Sequence, residues 1–264
     1  KTIQLSFART TPLGQVAQYV GLDNYTNIFT DGTFLNSLVA TLKFSVMRVI
    51  LSIVLGFILA IISTEKIRAK GFFRTVFFFP NLLGGLAMGF IWSFIFQNVY
   101  SLMLFGEESP IHIPFLCDML QDPNKAVFAM AIMATWQTAG YLMLIYLNGL
   151  NNIPEDLYEA ASLDGATEIQ IFFQVTLPLI WSNIRTTLTF YIISTINLSF
   201  LFVQIMTDGG PNGKTEVFLN YMYKQAYGAG VYGYGMAIGV VVFLFSFILA
   251  AVVNKITDRE VLEF

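Results

Sequence analysis

Long stretches without a single charge constrain this chain more than any other feature. No Asp, Glu, Lys or Arg occurs in 75–106, 126–154, 186–207 or 225–254, and a shorter gap, 49–64, extends upstream if Arg48 is tolerated. A helix needs about 20 mostly apolar residues to cross a bilayer core about 30 Å thick. Each long gap meets that length, and 44–63 meets it with one exception. Five spanning helices are predicted, near 36–64, 76–100, 126–149, 180–206 and 232–254. Barrel strands would be about 10 residues long and alternating in character, which these segments are not. The expected fold is all-α and polytopic.

The charges that do occur exclude several classes of function. Only 12% of the 264 residues are charged, against about 25% in a soluble domain. The 14 basic and 17 acidic residues sum to −3, so no basic face exists for nucleic acid. A single cysteine, Cys117, excludes an internal disulfide framework or a cysteine zinc site. A single histidine, His112, argues against a histidine metal centre or a catalytic triad. Both lie in the connection 101–125 and read as ordinary loop residues.

Lys and Arg near span ends set orientation. The densest cluster, Lys66, Arg68, Lys70 and Arg74, lies between the first two spans and is assigned to the cytoplasm. The loops then alternate: 101–125 outside, 150–179 inside, 207–231 outside, and the tail with Lys255 and Arg259 inside. Loop 150–179 has no basic residue but carries Glu155, Asp156, Glu159, Asp164 and Glu168. Acidic residues count little in the rule, so an ordered acidic loop at this surface needs another reason. Upstream, there is no initiator Met and no signal-peptide apolar region, and Lys1–Phe7 reads like the end of a helix. The expectation is a preceding span that this chain does not include, with 1–33 as an external segment.

The acidic loop has legible local physics. Asn152 can cap a helix with Pro154 in its first turn, and Glu155 and Asp156 favour the positive end of the helix dipole. Asp164-Gly165 breaks that helix, glycine permitting positive φ. A second short helix follows from Ala166 with Ile169, Phe172 and Phe173 on one side, and Pro178 marks the start of the next span. The product is a helix–turn–helix knob held by the membrane at both ends. The sequence Glu159-Ala160-Ala161, three residues, Gly165, nine residues, Val175-x-Leu177-Pro178 resembles the EAA loop of bacterial ABC importer permeases, with Val175 in place of the usual Ile.

The resemblance covers most of the chain and narrows to the carbohydrate, maltose-type branch. Gly21–Tyr25, Phe73-Arg74 with Phe77–Pro80, Ile91-Trp92, Trp136 with Gly140, and Leu150 with Ile153-Pro154 are similar to that branch. Thr207–Pro211 followed by Thr215-Glu216 resembles the external loop of the first of its two permease subunits. That subunit has a span ending at Leu-Ser-Phe, as at Leu5-Ser6-Phe7. The resemblance implies a permease domain at 34–264 with its EAA loop at 151–178, in a multi-pass protein of the bacterial inner membrane. It also implies a second homologous permease subunit, two cytoplasmic ATPase subunits that hold ATP and Mg, an extracellular solute-binding protein and a sugar substrate, with lipid around the spans. No cofactor or metal is implied in this chain. Glu159, Ala160, Ala161, Asp164, Gly165, Leu177 and Pro178 are the implied ATPase-coupling residues. Glu159 would pair with a basic partner, and Gly165 would let the two short helices pack tightly.

Substrate contact has to come from polar residues inside the membrane, which are costly there and face a cavity or another helix. The fourth span is richest, with Thr186, Thr187, Thr189, Tyr191, Ser194, Thr195, Asn197, Ser199 and Gln204. Tyr191, Ser194 and Thr195 share a helix face. The third span offers Thr135, Trp136, Gln137, Thr138 and Tyr141. Sugars want an aromatic face and paired donors and acceptors, so Trp136, Gln137, Tyr141, Tyr191, Ser194, Thr195 and Asn197 are candidate pathway residues. Hydrogen-bonded helix packing explains the same residue types. Arg48 either snorkels to the outer boundary or points into the pathway, where it would favour an anionic sugar. Gly85-x3-Gly89 and Gly235-x3-Gly239 read as close helix packing.

Two other classes fit less well. A self-sufficient secondary transporter would show intramembrane acids for ion coupling, and no Asp or Glu lies within the five spans. A membrane enzyme would need paired carboxylates with His or metal ligands, which the acidic loop lacks. Gly213-Lys214-Thr215 is no P-loop, because Asp208 stands where the first Gly is needed.

Overall fold

The computed structural model describes residues 1–64, 68–106, 109 and 111–258; Lys66 and Arg259, two of the orienting basic residues, lie outside them. In order, the elements are α1 (Thr2–Ser6), β1 (Ala8–Thr10), β2 (Val16–Tyr19), α2 (Asp23–Thr30), α3 (Gly32–Thr64), α4 (Lys70–Phe78), α5 (Gly85–Phe94), α6 (Ala126–Asn151), α7 (Glu155–Leu163), α8 (Glu168–Ile171), the single turn α9 (Leu177–Leu179), α10 (Trp181–Met206), α11 (Phe218–Tyr223) and α12 (Tyr232–Ile256). Among the described residues, five helical stretches are long and apolar enough to cross a membrane: Gly32–Thr64, Gly85–Leu104, Ala126–Asn151, Trp181–Met206 and Tyr232–Ile256. Four coincide with predicted spans to within a turn or so. Among the described residues, the short antiparallel ribbon of β1 and β2, with Ala8 opposite Tyr19, is the one departure from an all-helical reading.

The second span is the main correction. The charge-free run does not form one helix over 76–100. It is interrupted by a 3-10 turn at Phe79–Leu82 and extended backbone at Leu83 and Gly84, and it restarts as α5, which continues in π-type turns over Ile95–Leu104. Pro80 lacks an N–H and cannot continue the ladder, and Gly84-Gly85 follow with low helix propensity. Freed backbone groups at membrane depth need partners from protein. The Leu83 carbonyl receives one from Gln137 Nε2 at 3.1 Å. The Phe77 carbonyl lies where a side chain on Gly140 would be, so that glycine permits the close approach of α4 to α6.

By contacts the chain resolves into two compact units, 1–47 with 84–133 and 193–250, and 48–83 with 134–192 and 251 onward. In the first unit, Ile28, Phe34, Ile196, Phe218, Ala237 and Ile238 form the core. Its glycine pairs are contact sites as expected: a Cβ on Gly85 would stand 2.5 Å from Leu201, on Gly89 2.9 Å from Ile205, and on Gly235 2.8 Å from Ala226. Asp31 caps α3, accepting from the backbone N–H of Thr33 at 2.8 Å, and also accepts the hydroxyls of Tyr221 and, at 2.7 Å, Tyr234. In the connection after α10, Lys224 joins Asp208 at 3.1 Å and the buried Glu216 at 2.9 Å. Burial alone would lower the Lys224 pKa, but the two carboxylates outweigh it and hold it above its ordinary value.

The second unit packs Val49, Ala60, Leu142, Met143, Tyr146 and Ile184 together. The end of α3 is closed by basic residues of the following loop: Arg74 Nη2 donates to the Ser63 carbonyl at 3.1 Å and Lys70 Nζ to that of Thr64 at 3.1 Å. Cations belong at a helix C-terminus, where unpaired carbonyls carry the negative end of the dipole. Part of the orienting cluster therefore also has a local structural task.

Candidate functional site

The acidic loop folds into the expected helix–turn–helix, with differences in how it is held. α7 starts at Glu155 with Pro154 as its N-cap in extended geometry, so Asn152 lies outside the cap position assigned to it. Pro154 serves there because its fixed φ suits the residues around a helix start. α7 ends at Leu163 with Asp164 as its C-cap, and Gly165 has φ +77°. Nothing lies within 4 Å of where a Cβ on Gly165 would stand. The glycine is needed for its backbone angle, then, rather than for tight packing of the two helices. α8 begins later than expected, at Glu168, and is secured by a capping box that the residue-by-residue reading missed. Gln170 N–H donates to Thr167 Oγ1 at 3.4 Å, and Thr167 N–H donates to Gln170 Oε1 at 2.8 Å. The pattern Thr-x-x-Gln was its available signal.

Within the second unit the knob packs against α3 and closes on itself. Phe172 meets Phe57 at 5.7 Å between ring centroids, and Thr176 Oγ1 donates to the Tyr158 hydroxyl at 3.4 Å. A cleft of about 550 Å3, bordered by Ile61, Leu150, Glu155, Tyr158 and Glu168, lies between the loop and the ends of α3 and α6. Ile169 and Phe173 are 72% and 60% exposed, and Leu163 is 88% exposed. Phe172, half-buried, keeps its ring 4.8 Å from that of Phe173. Glu159, Ala160, Asp164 and Gly165 are exposed, Ala161, Leu177 and Pro178 half-buried. Among the described residues no ion pair occupies Glu155, Asp156, Glu159, Asp164 or Glu168.

The candidate pathway residues separate into two groups. Trp136 and Tyr141 on α6 present 42% and 37% of their surface, Asn197 on α10 is exposed and Ser194 half-buried. Gln137, Tyr191 and Thr195 are buried. Gln137 is engaged with the broken second span, and the neighbouring Thr135 and Thr138 lie 3.4 and 3.3 Å from the Ser52 hydroxyl. Gln137, Thr135 and Thr138 thus take part in hydrogen bonds between chain segments. Arg48 does not snorkel: it is 1% exposed, with its guanidinium carbon 5.8 Å from the Tyr191 ring centroid. The pull of an aromatic face on a desolvated cation is a tertiary effect that the sequence position of Arg48 does not reveal. His112 and Cys117 sit in the 101–125 connection, each within hydrogen-bond distance of the Phe105 carbonyl.

Comparison with known proteins places this architecture. The family described as "Binding-protein-dependent transport system inner membrane component" matches residues 52–262. The chain is 35% identical over 248 residues, 93% of its length and 82% of the relative's, to the probable starch degradation products transport system permease protein AmyD of Thermoanaerobacterium thermosulfurigenes. It is 34% identical over 255 residues, 96% of its length and 86% of the relative's, to the multiple sugar-binding transport system permease protein MsmF of Streptococcus mutans. In fold it is similar to a chain from the crystal structure of a bacterial ABC transporter involved in the import of the acidic polysaccharide alginate, with a TM-score of 0.78, 18% identity, and 97% and 87% of the two chains covered. The helical fold is thus shared with that transporter chain. This chain belongs to the family of inner membrane components of binding-protein-dependent transport systems.

Proposed function

We propose that this chain is one of two permease subunits of an ATP-driven importer of oligosaccharides, and that its α7–α8 knob transmits the closing motion of a separate ATPase. The sugar assignment is supported by the relatives, which carry starch products and multiple sugars in their names. The coupling assignment is carried by one observation: Leu163, Ile169 and Phe173 stand exposed on a short, capped, helical element, among carboxylates that form no ion pair with the described residues. Apolar groups ringed by charge mark a contact surface, and a rigid element passes displacement on where a flexible loop would absorb it. Glu159 then meets a basic side chain of the ATPase in a charge-assisted bond. ATP and Mg belong to that partner, a second permease subunit completes the pathway, and an extracellular binding protein delivers the sugar. Trp136 and Tyr141 supply aromatic faces, and Ser194 and Asn197 supply hydrogen bonds. Gln137, Tyr191 and Arg48 are buried within the second unit and Thr195 within the first, and each keeps a packing role there.

In the reconstituted complex, Glu159→Lys or Gly165→Pro is expected to keep membrane insertion and basal ATP hydrolysis while abolishing hydrolysis stimulated by sugar-loaded binding protein. Wild-type uptake by both variants would remove the coupling role. A panel of neutral and acidic oligosaccharides, assayed for stimulated hydrolysis, identifies the substrate class. If Arg48 contacts an anionic sugar, Arg48→Gln lowers uptake of acidic sugars only; equal loss for neutral ones leaves it a role in packing.

A further inference from the structure

A second cavity, mostly apolar with a few polar groups, lies where α10 begins just after the knob. It measures about 400 Å3, within the range of roughly 300–1,000 Å3 usual for small-molecule sites. One wall is a stripe on α10. Ser182, Arg185, Thr186 and Thr189 recur at i, i+3, i+4 and i+7, which places them on one face. Trp181 and Phe190 border the stripe at its two ends, and Asn254 of α12 closes the side. By the Lys and Arg distribution, these are the cytoplasmic ends of both helices.

The chemistry of the lining selects among ligands. Arg185 is its only charged group, and that charge is already matched: Nη1 lies 2.6 Å from Asp258 Oδ1. Two more of its nitrogens are engaged by Asn254, Nε with the side-chain oxygen at 3.0 Å and Nη2 with the backbone carbonyl at 3.3 Å. Trp181 donates its indole N–H to the Thr257 carbonyl at 3.0 Å, which fixes the ring at the border of the cavity. An anion would therefore have to displace Asp258, whereas a neutral ligand would not. What the cavity does offer is two aromatic surfaces, three hydroxyls and an amide. Thr186 is exposed, and the Thr189 hydroxyl, which donates to the Arg185 carbonyl at 3.1 Å, keeps its lone pairs for an incoming donor. A polyol with an apolar ring face satisfies both kinds of surface.

We infer that this cavity is an exit-side subsite for a neutral sugar, which holds the substrate at the cytoplasmic end of α10 before release. The inference rests on the proposed sugar-importer function. Its test uses the assembled importer in permeabilised proteoliposomes, with T186C introduced in a C117S background. Maleimide labelling of the peptide carrying position 186 is followed by mass spectrometry, with maltose, trehalose and maltotriose as probes. A site of millimolar Kd, filled at about ten times that concentration, slows labelling about tenfold. That protection is expected from whichever sugar the unsubstituted importer takes up, and it is expected to be lost when T189V and N254L are added. Uptake without protection overturns the subsite alone. Absence of uptake for every probe overturns the sugar reading and the subsite with it. Protection by anionic rather than zwitterionic phospholipid, with no effect of sugar, assigns the cavity to a lipid headgroup and overturns the proposal.

Discussion

Gly140 shows how little room single positions leave in this chain. An added methyl would overlap the carbonyl of Phe77, a backbone atom that cannot swing aside as a side chain can. Gly140→Ala must therefore move α4 from α6, and overpacking of this kind costs about 1–3 kcal/mol or more. The expected outcome is a lower melting temperature in detergent, with part of the loss suppressed when Pro80 is also replaced by Ala so that the backbone can adjust. Gly165 is the opposite case. It faces open space but has φ +77°, so Gly165→Ala is strained by about 1–2 kcal/mol with nothing to clash against. Gly165→Asn, which tolerates that region better, should restore coupled ATP hydrolysis more fully than Gly165→Ala. Equal activities for the two would mean that the turn does not need its backbone angle. Both glycines stand out in the sequence; only the structure separates steric need from conformational need.

Polar groups at the ends distinguish elements whose apolar lengths are much alike. Asp31 shows this best, since one carboxylate caps α3 and ties it to α11 and α12. Burial pushes its pKa up, but the Tyr221 and Tyr234 hydroxyls and the N–H groups of Thr33 and Phe34 outweigh burial and hold it below its ordinary value of 3.8. A carboxylate with a depressed folded pKa stabilises fully above its unfolded pKa and loses that contribution as pH falls through the folded one. The melting temperature of the native protein should thus exceed that of Asp31→Asn at neutral pH, and the gap should close as pH drops below the ordinary aspartate value. A gap independent of pH would show that the bond does not depend on charge. The charge gaps delimited four spans closely because apolar length alone decides them. They missed the break in the second span, since Pro80 and Gly84-Gly85 sit in an unbroken apolar run and hydropathy does not register backbone hydrogen bonding. The ribbon at Ala8–Tyr19 was invisible for another reason: strands of three and four residues carry too little pattern to read.

At the scale of the whole molecule, the knob and the external turn at Pro211–Lys214 should face opposite sides of the membrane. That placement follows from the Lys and Arg count and from an odd number of crossings between the two. The only native cysteine, Cys117, is half-buried in another loop and is removed first by Cys117→Ser. In that background, Leu163→Cys should react with a membrane-impermeant maleimide in inverted vesicles, and Asn212→Cys in intact right-side-out spheroplasts, each silent in the other preparation. Reversed labelling would invert the topology and place the knob away from any cytoplasmic ATPase. A second outcome depends on assembly. Leu163 is nearly fully exposed in this chain, so under the proposed coupling role it is a position that the ATPase covers. Labelling at position 163 should slow markedly when the ATPase is co-expressed and recover when it is stripped away, while labelling at position 212 does not change. An unaffected rate at 163 would mean that the exposed apolar face is not the docking surface, and the acidic loop would then need a different reason for its order.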